Sequence, residues 1–163
     1  MRLIACALAF GAMLAPAGGA TVPAAAPDAM IAIIVGKQHS WKQIRIGDLA
    51  LIFRRKQLFW KDGTKVNPVN LPATDALRQV FSRSVLGASP EDLEKYWNDM
   101  YFHGVSPPFV LASEEAVLRF VTQTPGAIGY VSYCNVDARA RVLLIVSHAG
   151  VTSREVARAH CDR

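Results

Sequence analysis

Residues 30–35 (MIAIIV) form an unbroken run of apolar, mostly β-branched side chains closed by Gly36. With no polar alternation, a strand here must be covered on both faces, which demands a layered fold. The segments that follow can supply the layers. Residues 47–56 place Leu49, Leu51, Ile52 and Phe53 near helical spacing, with Asp48 in the first turn and cations in the last, as the helix dipole favours. Residues 58–60 and 66–69 read as two strands around an Asp62-Gly63 turn, with Trp60 as a core anchor. Residues 74–86 are helical, with Leu77, Val80, Phe81, Val85 and Leu86 on one face. Ser89-Pro90 starts another helix that carries Leu93, Tyr96, Trp97 and Met100 inward and stops by Gly104. After Pro107-Pro108 comes a short apolar run at 109–111. Ser113 then opens a helix that buries Val117, Leu118, Phe120 and Val121. Strands at 127–133 and 141–146 complete an alternating pattern, that of an α/β domain.

The N-terminus reads differently. Arg2 is the only charge before Asp28, residues 3–15 are apolar, and Pro16 with Gly18-Gly19-Ala20 offers a small-residue cleavage site. That is a cleavable signal peptide over 1–20, too short to span a bilayer. The alternative, a buried N-terminal helix, would show a polar face. The expected organisation is therefore a signal peptide at 1–20, a Pro/Ala spacer at 21–27 and one domain at 28–163. The mature protein would be periplasmic or secreted and not embedded in the membrane. Cys6 leaves with the signal, and in an oxidising compartment Cys134 and Cys161 are most simply a disulfide; two free thiols are the alternative. The pair would close a loop of about 27 residues, for about 3 kcal/mol on the chain-entropy model.

Loss of Arg2 lowers the 18 Lys and Arg residues to 17 against 13 acids, and Arg45, Arg54, Arg55, Lys56, Lys61 and Lys65 concentrate the surplus. Such a cluster serves an anion or an acidic surface, or is a solvated face. No basic stretch is interleaved with aromatics as single-strand binders require, so nucleic acid is not an expected partner. The chain carries no nucleophile elbow, dinucleotide fingerprint, P-loop or C-x-x-C, and its four histidines lack metal-ligand spacing. No catalytic residue, cofactor or metal is assigned. Glu91/Asp92 and Glu114/Glu115 sit in first helical turns, where carboxylates belong. Thr74 and Ser113 precede helices whose N–H groups could hold an anion, although Asp75, Glu114 and Glu115 compete there and plain capping is the simpler reading.

Two segments carry a resemblance. Residues 46–53 (IGDLALIF), followed by Lys56 and Trp60-Lys61-Asp62-Gly63, resemble the L-x-x-I-F-x-G-K-x-x-x-W-x-D-G stretch of phosphate-type ABC-transporter substrate-binding proteins. Residues 124–131 (TPGAIGYV) match the same family's strand entry. The resemblance implies one lobe of a periplasmic-binding-protein type II-like fold, a mixed sheet flanked by helices. It also implies binding of phosphate or another small anion and partnership with a membrane transporter or another envelope protein. Full-length members have two lobes with the anion between them, and this chain is about half that size. Where the family grips phosphate with an Arg and a Ser-Gly-Thr helix entry, this chain has Asn70 and Thr74, with Asp75 in the place of the Gly; Arg55 replaces the Gly before Lys56. Asn70, Thr74, Arg78 and Ser113 are the candidate ligand contacts. The rival expectation is a protein-interaction module of the envelope that has lost ligand binding.

Overall fold

The computed structural model describes residues 29–161; the signal peptide and spacer assigned to 1–27 lie outside them. Six strands form one mixed sheet: β1 (Ile31–Gly36), β2 (Asn67–Asn70), β3 (Phe109–Val110), β4 (Ala127–Ser132), β5 (Ala140–Ser147) and β6 (Gly150–Val151), in the order β3-β2-β4-β1-β5-β6. The apolar run becomes the central strand β1, antiparallel to both β4 and β5, and its first five residues have no solvent exposure. Beyond β4 the sheet turns parallel, with β2 pairing alongside β4 and β3 alongside β2.

The helices are α1 (Ile46–Phe53), α2 (Ala76–Phe81), α3 (Glu94–Phe102), α4 (Glu114–Gln123) and α5 (Arg154–Cys161). Helix α1 buries Leu49, Ile52 and Phe53, as its spacing predicts. The helix expected over 74–86 forms as α2 followed directly by a π turn at Ser82–Leu86, which Gly87 ends in the left-handed conformation. Helix α3 starts later than Ser89-Pro90 predicts: residues 90–93 form a turn in which Ser89 Oγ accepts the Asp92 N–H at 3.1 Å, so Glu91 and Asp92 precede the helix. Of the expected inward residues, Leu93, just before α3, is buried and Tyr96, Trp97 and Met100 are half-buried. Helix α4 lies so close to β4 that a Cβ at Gly129 would fall 2.6 Å from Val117 Cγ1 and 3.0 Å from Val69 Cγ2. Only a residue without a side chain fits that contact.

The hairpin at 58–69 is shorter than the Asp-Gly signal predicts. Its turn forms, with the Gly63 N–H donating to Trp60 O at 3.0 Å and the Trp60 N–H to Thr64 O at 2.8 Å, but the strands share only the Phe59–Lys65 bridge. After Val66 the chain turns to pair with β4, starting with the Asn67 N–H bonded to Gly126 O. Trp60 is the expected anchor: buried, with its indole N–H donating to Gly126 O at 2.9 Å.

Cys134 and Cys161 are bonded. The bridge ties α5, which the sequence reading did not anticipate, to the 3-10 turn at Tyr133–Asn135. Among the described residues no helix is long and apolar enough to cross a membrane.

Candidate functional site

Strands β2, β3 and β4 run parallel, so their carboxyl ends open on one side, where the chain leads into α2, α4 and the 3-10 turn. Ligands of open α/β sheets sit outside such strand ends. Asn70 closes β2 there and is 3% exposed. Its backbone carbonyl accepts the Leu111 N–H at 2.8 Å, which draws in the loop leading to Ser113. Its side-chain Oδ1 accepts the Tyr130 hydroxyl at 3.4 Å, and that hydroxyl accepts the Leu71 N–H at 3.3 Å. The Tyr130 ring stacks on Phe81, with centroids 4.1 Å apart and planes 6° off parallel. Burial raises the Tyr130 pKa far above the ordinary phenol range, so its hydroxyl stays a neutral donor.

Arg78 enters this cluster from α2. It is 7% exposed, and its Nε and Nη1 are enclosed with no hydrogen-bond acceptor in reach. Burial lowers its pKa, while the Tyr130 phenol and Glu91 pull it the other way. A guanidinium does not deprotonate in a protein, so the charge remains. One turn later on the same face lies Ser82, fully buried, with an unpartnered Oγ.

The helix ends are closed. Asp75, rather than Thr74, caps α2: its carboxylate accepts from the Leu77 N–H at 2.8 Å and the Arg78 N–H at 3.4 Å. Thr74 stands exposed just before it. Ser113 caps α4 through a 3.2 Å bond from the Ala116 N–H, while Glu114 accepts from the Ser132 N–H at 2.6 Å and Asn135 Nδ2 at 3.0 Å. The structure thus brings Asn70 and Arg78 together around Tyr130, leaves Thr74 exposed before α2, and commits Ser113 to its own helix. Sequence reading missed Tyr130 and Ser82. The signal for Tyr130 was a tyrosine inside a buried strand, where its hydroxyl must find a partner.

The basic cluster does not converge on this site. Arg54 donates to Leu86 O at 2.6 Å and Arg55 to Val66 O at 3.3 Å, so both hold backbone. Arg45 pairs with Asp48 at 2.9 Å, and Lys61 lies over the Trp41 ring at 5.6 Å from its centroid. Arg45, Lys61 and Trp41 line a groove of about 790 Å³ that also touches β5. Among the described residues no group of three His, Cys, Asp or Glu side chains is placed to hold a metal.

Solved structures share this architecture. An ABC-type phosphate transport receptor from Vibrio cholerae superposes with a TM-score of 0.60 at 20% identity, over 72% of this chain and 46% of its own. A Clostridium perfringens protein, described as a phosphate ABC transporter substrate-binding protein and solved with phosphate bound, gives 0.59 at 21% identity over 72% and 44%. PstS from Borrelia burgdorferi gives 0.51 at 17% identity over 80% and 60%. The fold is one lobe of a type II periplasmic-binding-protein fold. The lobe spans less than half the length of the Vibrio and Clostridium proteins. No protein-family model matches the chain, and comparison with curated proteins finds no match. The lobe also accounts for the replaced glycine: Arg55 sits at φ +59°, left-handed backbone that a Gly adopts without strain.

Proposed function

We propose that this chain is an exported, non-enzymatic substrate-binding lobe that takes a small anion at the carboxyl ends of β2 and β4. In this reading residues 1–20 are its signal peptide, 21–27 a spacer and 28–163 the binding domain, working in the periplasm or outside the cell beside a membrane transporter. The observation that carries it is the buried Arg78 guanidinium, whose Nε and Nη1 meet no acceptor beside Asn70 and Tyr130. Buried charged N–H groups that meet no acceptor are costly, and an anion drawn from solvent would supply the acceptor. The shared fold of phosphate-transport receptors supports the same reading. Arg78 is the cationic contact, Asn70 the neutral polar one, and Thr74 and Ser113 flank the entrance. Calorimetry of the mature, oxidised protein against phosphate, sulfate and small carboxylates is the test: heat at millimolar ligand, abolished in Arg78→Met, is expected, and its absence for every anion refutes the proposal.

A second reading has its own observation. Tyr101, Phe102, Phe109 and Val110, at the end of α3 and on the edge strand β3, are each more than 60% exposed. Exposed apolar patches mark protein contacts. On this reading the lobe is an envelope interaction module that has lost ligand binding. Cross-linking in periplasmic extract should then return one discrete partner that Phe102→Ser with Phe109→Ser removes; an unchanged pattern eliminates it.

A further inference from the structure

We infer that the Arg78 site selects a small monovalent oxyanion, such as formate, acetate or nitrate, against divalent sulfate and dianionic phosphate. The inference rests on the anion-binding reading above and concerns only which charge class the site accepts.

It follows from the charges the fold gathers. Arg78 is the one cation among the buried polar and charged residues of the described chain, which otherwise comprise Asn70 and Ser82. The other polar groups are neutral: the Tyr130 hydroxyl, which donates to Asn70 Oδ1, the Ser82 hydroxyl and the Asn70 amide. Asp75, three residues before Arg78, brings a carboxylate to the same end of α2, and its bonds to the Leu77 and Arg78 N–H groups fix it there. Those bonds also remove the N–H groups that could have served a second negative charge. Glu91, held nearby by the Gln79 amide at 3.0 Å, adds another acid to the field of Arg78. Arg83, the next cation along the chain, is exposed and acts on Glu91 and Asp92. A monoanion at Arg78 neutralises one buried charge. A dianion would leave a net negative charge in low dielectric against Asp75, and like charges so placed repel strongly.

Calorimetry on the oxidised mature protein with sodium salts of formate, acetate, nitrate, sulfate and phosphate tests this, with phosphate measured on the acid and alkaline sides of its second ionisation. The inference predicts measurable binding of at least one monoanion, sulfate weaker by about tenfold or more, and phosphate bound better as the monoanion. Asp75→Asn keeps a capping acceptor and removes the charge, so sulfate affinity should rise about tenfold while the monoanion, with half the charge to repel, gains about threefold. Sulfate binding as tightly as the best monoanion, or no gain in Asp75→Asn, overturns the selectivity but leaves anion binding standing. Heat from no anion, or heat unchanged in Arg78→Met, overturns both.

Discussion

The two halves of the sheet are built on opposite terms. Around β4, β1 and β5 the interior is apolar side chains with satisfied backbone, and even the outer edge of β5 is managed: Arg154 donates to Val142 O at 3.2 Å and the Thr152 N–H to Ile145 O at 3.0 Å. Around β2, β3, α2 and α3, Arg78 Nε and Nη1 and Ser82 Oγ are buried without hydrogen-bond partners, and Tyr101, Phe102, Phe109 and Val110 face solvent. The first half thus holds the lobe together, and the proposed function assigns the second half to another molecule.

Substitutions can break or sharpen that contrast. The largest effect belongs to the entry of β4: Gly126 has φ +72°, and a Cβ there would lie 2.1 Å from Lys65 O. Gly126→Ala should cost about 4 kcal/mol in denaturant unfolding or prevent folding, since a backbone oxygen cannot retreat as a side chain can. Next comes the bridge. Replacing Cys134 and Cys161 with Ser should cost about 3 kcal/mol and release α5, read as lost hydrogen-exchange protection over Arg154–Cys161. Arg78→Met should then separate the halves most clearly. Although Arg78 is buried, the change should leave stability within about 1 kcal/mol of the parent or raise it, because buried N–H groups that meet no acceptor leave with the side chain. A loss above about 3 kcal/mol would mean that the guanidinium is structurally paired and the contrast false.

Smaller still is Arg55→Gly, which relieves left-handed strain but gives up the bond to Val66 O; a net gain of about 0.5 kcal/mol is expected in thermal unfolding. The least effect is a pH dependence. Burial, with Arg141 nearby, lowers the His39 pKa below the ordinary 6.5, against the pull of Asp62. The unfolded chain therefore binds the proton more readily. The contribution is complete above about pH 6.5 and is lost as pH falls through the folded value. His39→Gln should flatten the stability profile in that window.

Much of the fold was legible because its causes are local. The run at 30–35 could only be a covered strand, the spacing of Leu49, Ile52 and Phe53 could only face one way, and Ser113 followed by two glutamates caps a helix wherever it lies. The elements that went unread lack such signals. Helix α5 is polar and held by a disulfide to a distant turn. The hairpin at 58–69 lost its ladder because β2 found a better partner in β4.

The candidate site divides along the same line. Sequence by itself determined the layered class and the pair of cysteines available to bridge, since each is a matter of residue identity and spacing. Only the tertiary structure decided that Asp75 closes α2, that Arg54 and Arg55 are spent on backbone carbonyls, and that Arg78 lies enclosed beside a tyrosine 52 residues further along the chain. Whether a charge is paired, solvated or stranded depends on what the rest of the fold places around it. A linear sequence cannot show that.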